Sequence, residues 1–106
     1  MLEARVAGRD GSLALVQLEG EIADGSFGPW SEELTRLVQQ AVATAEHTGV
    51  TIDMSGLRFI DLEGVAILLR LAQRTRSTGK TFRLRGADGQ VAKKLGETGV
   101  LSYLSG

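Results

Sequence analysis

The stretch VTIDMSGLRFIDLEGVAILL, residues 50–69, decides the fold because it joins a strand to a helix. Its β-branched start, residues 50–54, is typical of a buried interior strand. A brief turn is expected at residues 55–56. After Asp61, apolar residues recur at intervals of three and four, which predicts a helix that ends at Gly79.

Two further strands, joined as a hairpin, are expected before this segment. Residues 3–8 and 12–19 have strand character, and the Asp10-Gly11 pair between them supplies the positive φ angles that a tight hairpin requires. A loop rich in Gly and Asp follows over residues 20–28. The chain therefore begins with a β-hairpin.

A first helix is predicted between the hairpin and residue 50. Pro29 fits its first turn, where the missing N–H costs nothing, and apolar residues from Trp30 onward form one stripe. His47 is expected near its end, with Gly49 as the C-cap. A helix between two strands of one sheet favours a parallel, right-handed crossover.

The last part of the chain predicts one more strand and one more helix. Residues 81–85 alternate apolar and basic side chains, which indicates a strand with one solvated face. Asp88 is expected to cap a third helix that closes at Gly96 or Gly99. The apolar residues within 100–104 are expected to return to the core.

The predicted order is β-β-α-β-α-β-α. We expect one α/β domain over residues 1–106, with a mixed sheet of about four to five strands packed by three to four helices. The composition agrees, since 42% of the residues are hydrophobic and 24% are charged.

The charge distribution argues against nucleic acid as a partner, because the net charge is only −1. The two halves differ in sign. Residues 1–53 carry three Lys or Arg and nine Asp or Glu, whereas residues 54–106 carry nine and four. This difference has two open interpretations: the second half forms a basic docking face for an acidic partner, or the charges belong to ordinary solvated faces.

Few residues suit catalysis or metal binding. The sequence has no Cys and one His, His47, which excludes thiolate chemistry and sites built from several His ligands. The Gly-rich segments 86–89 and 96–99 lack a phosphate-loop Lys. Asp61 and Glu63 could perform acid–base chemistry, although the sequence indicates no pocket around them. We expect no enzymatic activity and no cofactor.

The sequence carries no sign of a targeting or membrane segment. The first residues, MLEARVAGRD, lack the basic and apolar parts of a secretory signal. The apolar run at residues 65–69 is far shorter than the roughly 20 residues that cross a bilayer. We expect a cytoplasmic protein without direct membrane insertion.

The segment after residue 50 also resembles the STAS family, the domain of anti-sigma-factor antagonists. In that family a strand ending in Asp is followed by a short apolar stretch and then by Asp-Ser-Ser-Gly or Asp-Ser-Thr-Gly. The resemblance continues at three other places: residues 20–22 are similar to a Gly-Glu-Leu-Asp turn, residues 79–84 to a Gly-Gly-x-Leu-x-Leu strand, and residues 95–100 to a Leu-x-x-x-Gly element.

The resemblance implies a regulatory partner and a switch motif. Such domains bind a kinase-type anti-sigma factor and free its sigma factor, and phosphorylation of the second hydroxyl residue of the motif breaks the contact. In this chain the motif is Asp61, Leu62, Glu63 and Gly64. Because Glu63 occupies the phosphoacceptor position, we expect no phosphorylation switch at this site.

Three residues outside the motif are also candidate partner contacts. Asp24 lies in the turn that the resemblance implies, Ser55 could carry regulation in place of residue 63, and Arg70 could face an acidic partner from the second helix. Ala23 departs from the family turn, which usually ends in Asp at that position, and Asp24 follows one residue late. The simpler role of Ser55 is in the expected turn.

Several alternatives stay open from the sequence. The chain could be a non-switching STAS scaffold subunit of a stress-signalling complex, a cytoplasmic accessory subunit of a membrane transporter, or a sensor of nucleotides or other small ligands. A homodimer and another STAS-binding protein are further candidate partners. Whether Glu63 holds the interaction on or off is also open.

Overall fold

The computed structural model describes residues 2–22, 29–44 and 46–99. Within these ranges the predicted order of elements is confirmed. The elements are β1 (Leu2–Asp10), β2 (Leu13–Ile22), α1 (Pro29–Ala43), β3 (Gly49–Ile60), α2 (Leu62–Ser77), β4 (Thr81–Arg85) and α3 (Gly89–Glu97). The predictions for Asp24 and for residues 100–104 lie outside the described residues.

The sheet is mixed, as expected, with the strand order β1-β2-β3-β4. β1 and β2 are antiparallel, whereas β2–β3 and β3–β4 are parallel. Parallel neighbours need a crossover connection. α1 and α2 supply the two crossovers, so β3 lies in the interior of the sheet and its carboxyl end leads into α2.

The core forms where the three helices pack against the sheet and where α1 packs against α2. Val16, Ile52 and Leu84 are register partners across β2, β3 and β4, and all three are buried. The largest fully buried side chains come from strands and from all three helices: Phe82, Leu18, Ile22, Leu34, Ile52, Met54, Ile60, Leu68, Leu95, Val16 and Val38. Among the described residues, no helix combines the length and the apolar character needed to cross a membrane.

The expected turn at Ser55 and Gly56 is wrong, because β3 continues through both residues. The pairing of β3 with β2 instead shifts register here, so that β3 holds an extra residue. A Cβ on Gly56 would lie 3.0 Å from the Leu18 carbonyl oxygen and 2.9 Å from Glu19 Cγ. Gly56 thus permits close approach of a neighbouring strand.

Gly49 is also not a helix cap. α1 ends at Ala43, and Gly49 is the first residue of β3. A Cβ there would collide with the backbone of Thr81, so the glycine lets β3 and β4 approach. His47 lies beyond the helix end, with Nδ1 3.1 Å from the Ala41 carbonyl oxygen.

The predicted hairpin between β1 and β2 is confirmed, although only one of its two expected positive φ angles occurs. Asp10 is the last residue of β1, and Gly11 has a φ of 66°. No described non-glycine residue has a positive φ. Glycine at the first position of a two-residue hairpin loop is typical of a type II′ turn.

Candidate functional site

The start of α2 is fixed by Asp61. Its backbone is extended, with φ −99° and ψ 178°, and its Oδ1 accepts a hydrogen bond of 2.8 Å from the Gly64 N–H. Its carbonyl oxygen accepts from the Val65 N–H at 3.1 Å. A carboxylate in this position satisfies one of the N–H groups that a helix start leaves unpaired. The helix predicted after Asp61 therefore begins as expected.

The same turn is anchored to β2. The Asp61 N–H donates to the Ile22 carbonyl oxygen at 3.0 Å. Gly64 is buried, and a Cβ on it would lie 2.6 Å from Ile22 Cγ2 and 2.8 Å from Ile60 Cγ1. Gly64 is thus needed for the close approach of helix and sheet, and it presents no side chain to a partner.

Leu62 and Glu63 project from this anchored turn. Leu62 is 62% exposed, and Glu63 is also exposed. An acidic side chain in the first turn is favoured by the positive end of the helix dipole, by about 0.3–1 kcal/mol. Among residues 2–22, 29–44 and 46–99, Glu63 has no ion-pair partner, so the helix dipole is what favours its carboxylate at the surface.

Two residues that the sequence analysis did not select extend this surface. Phe59, at the end of β3, is 39% exposed, and Lys94 comes from α3. They border a shallow groove of about 330 Å³ together with Asp61, Leu62 and Glu63. We call Phe59, Leu62, Glu63 and Lys94 the α2 entrance surface. Phe59 is detectable in the sequence only as the residue that precedes the buried Ile60, whereas no local signal identifies Lys94.

The other candidate residues are placed differently. Arg70 is exposed and lies seven residues after Glu63 on α2, so both share a helix face about 10 Å apart along the axis. Ser55 is exposed but lies in the middle of β3, six residues before Asp61, which corresponds to roughly 20 Å of extended strand. The structure therefore groups Arg70 with the motif and separates Ser55 from it.

Ser55 belongs to a second polar cluster, which the sequence analysis missed. The Ser55 N–H donates to Asp53 Oδ1 at 3.0 Å. Arg85 lies between two carboxylates: its Nη2 is 3.6 Å from Asp53 Oδ2, and its Nη1 is 3.5 Å from Asp10 Oδ2. Burial opposes ionisation of Asp53, but the hydrogen bonds from the Ser55 N–H and hydroxyl and the attraction of Arg85 outweigh it. The pKa of Asp53 consequently lies below its ordinary value.

These arrangements suit binding better than acid–base chemistry. One oxygen of Asp61 is engaged in the helix cap, and Glu63 faces solvent beside a shallow groove. Enclosed, pre-formed pockets are typical of sites that act on small molecules. Within residues 2–22, 29–44 and 46–99, no group of three or more His, Asp or Glu side chains is placed to hold a metal ion.

Comparisons with known proteins identify the same architecture. A family model described as "Mlab, STAS domain" matches residues 8–102. No curated protein matches the sequence significantly.

Two solved structures of SpoIIAA are similar to the chain, each at 15% sequence identity. The anti-sigma factor antagonist SpoIIAA in its unphosphorylated form aligns with a TM-score of 0.64, over 89% of this chain and 82% of that one. The Bacillus cell fate determinant SpoIIAA in its phosphorylated form aligns with a TM-score of 0.68, over 98% and 89%. At this identity the likeness shows the fold.

Proposed function

The chain belongs to the STAS domain family, and on that premise we propose that it is a regulatory protein-binding module, not an enzyme, that docks on its partner through the α2 entrance surface. The observation that carries the proposal is the exposure of Leu62 and Glu63 on a turn held by the Asp61 cap and by Ile22. An apolar side chain beside a charged one, on a rigid support, suits specific protein contact.

The partner we propose is a kinase-type anti-sigma factor. SpoIIAA is an anti-sigma factor antagonist known in unphosphorylated and phosphorylated forms, and its fold is similar to that of this chain. Charge at the entrance can control such docking, since two opposite unit charges about 4 Å apart near a protein surface attract by roughly 4 kcal/mol before desolvation. About 1.4 kcal/mol changes affinity tenfold.

Glu63 makes this control permanent. A phosphoserine carries about −1.5 to −2 charges at neutral pH, whereas Glu carries one. The carboxylate therefore imitates a phosphate imperfectly and cannot be removed by a phosphatase. We propose that the interaction of this chain is not switched by phosphorylation at the α2 entrance.

The test compares wild-type protein with Glu63→Ser and Glu63→Ala in affinity capture from native lysate, followed by incubation of the captured kinase with ATP. We expect both substitutions to change the retained amount of an anti-sigma kinase, and only Glu63→Ser to gain a phosphate within residues 55–64. Glu32→Ala is the matched control, because Glu32 is an exposed glutamate in the first turn of α1.

Two outcomes would contradict this proposal. A phosphate on residues 55–64 of the wild-type chain would remove the non-switching interpretation. Equal retention of the kinase by all four proteins would remove the entrance surface as the docking site.

A second candidate is a non-switching scaffold subunit of a stress-signalling complex, or an accessory subunit on the cytoplasmic side of a membrane transporter. The fixed charge of Glu63 favours it, because a permanent assembly needs no reversible modification. Capture of an ATPase or transporter component in place of an anti-sigma kinase would support this candidate. Nucleotide sensing is a third candidate and has its own test. A nucleotide that binds the folded protein raises its melting temperature, so melting temperatures are measured with and without nucleotides.

A further inference from the structure

A second concave site lies between α1 and α2, away from the α2 entrance surface. It is a cleft of about 360 Å³ whose apolar walls include Val38 and Val42 of α1 and Leu71 of α2. Arg74, farther along α2, also lines it. Arg74 follows Glu63 by eleven residues, about 16 Å along the helix, so the two sites are distinct.

The polar part of the cleft is positively charged. Arg74 and Lys80 line it, and none of the described residues that line it is acidic. Lys80 is held in place because its Nζ donates to the His47 carbonyl oxygen at 2.7 Å. Arg74 is exposed and has no carboxylate partner in the part of the chain that the structure describes. Its guanidinium is therefore available to an anion.

We propose that this cleft binds a single-chain fatty acid, with the acyl chain between α1 and α2 and the carboxylate on Arg74, beside Lys80. The volume lies at the lower end of the roughly 300–1,000 Å³ that small-molecule sites occupy, which suits one chain of intermediate length. Arginine binds carboxylates through two parallel N–H groups, and Val38, Val42 and Leu71 remove the chain from water.

Calorimetric titration of the purified protein with dodecanoate, below its micelle-forming concentration, tests the proposal. We expect saturable binding at one site, and binding of dodecanol weaker by at least about tenfold because it lacks the charge. Arg74→Gln should weaken dodecanoate binding by a similar factor. Gln39→Trp should abolish it, because Gln39 is an exposed residue at the cleft whose replacement by an indole fills the space.

Arg83→Gln is the matched control, since Arg83 is an exposed arginine of β4 that does not line the cleft. It should leave dodecanoate binding unchanged, and circular dichroism should show that every variant is folded. No saturable binding by the wild-type protein, or wild-type affinity in both Arg74→Gln and Gln39→Trp, would overturn the proposal. Neither result bears on partner capture by the α2 entrance surface.

Discussion

The side-chain amide of Gln90 forms two hydrogen bonds with the backbone of Ile60. Its Oε1 accepts from the Ile60 N–H and its Nε2 donates to the Ile60 carbonyl oxygen, each at 3.0 Å. β4 pairs with β3 only from Gly49 to Asp53. Gln90 thus takes the place of a neighbouring strand at the end of β3, directly before the Asp61 cap.

Replacement of Gln90 by Ala should lower the free energy of unfolding by about 1–3 kcal/mol, because it leaves the backbone N–H and carbonyl of the buried Ile60 without these partners. Urea unfolding measures this loss, and hydrogen exchange should show faster exchange of the Ile60 amide. Gln90→Glu keeps an acceptor for the Ile60 N–H but places a carboxylate oxygen against the Ile60 carbonyl oxygen, so it should also lower the free energy of unfolding. Unchanged protection of that amide in Gln90→Ala would show that the clamp does not stabilise the end of β3.

Removal of the α2 cap is expected to destabilise the fold more than removal of the equivalent residue of α3. Asp61→Ala should cost about 1 kcal/mol, and Asp61→Asn less, since Asn also caps helices. Asp88 occupies the N-cap position of α3 without a side-chain cap bond, which makes Asp88→Ala the matched control. An equal decrease in the free energy of unfolding for the two alanine variants, measured by urea unfolding, would contradict a special role of the Asp61 cap.

Local patterns in the sequence predicted the elements that depend on local physics. The alternation of residues 81–85 predicted β4, and its burial follows that alternation. The α2 cap at Asp61 and the helix end near Gly79, whose φ is 80°, needed only residues adjacent in the chain. The positions of three motif residues also follow from the helix start: Asp61 is the cap, and Leu62 and Glu63 lie at the surface of the first turn.

Features that depend on contacts between distant segments could not be predicted in this way. Gly56 resembles a turn residue, and its actual constraint is the neighbouring backbone of Leu18. Gln90 and Ile60 are thirty residues apart, and neither carries a local signal for the other. The ion cluster around Arg85 likewise joins three strands, so that a single sequence does not reveal it.

The acid sensitivity of the fold should depend on Asp53. The pKa of Asp53 in the folded state lies below its ordinary value. Its ionised carboxylate therefore stabilises the fold at pH values above that ordinary pKa, and this stabilisation is lost as the pH falls through the folded-state pKa. The wild type should therefore lose more stability than Asp53→Asn between about pH 5 and pH 2. Urea midpoints measured across this range test the difference. Parallel curves for the two proteins would contradict a lowered pKa.

Leu62→Ala should weaken partner binding without destabilising the fold. Leu62 is 62% exposed, so its truncation should change the free energy of unfolding by no more than about 0.5 kcal/mol. If Leu62 is covered by the partner, loss of its side chain should weaken the complex at least about fivefold. Val6 of β1, an exposed apolar residue at 50%, provides the matched control in Val6→Ala. Titration of the captured partner against both variants gives the comparison, and equal affinities would place the partner elsewhere than on the α2 entrance surface.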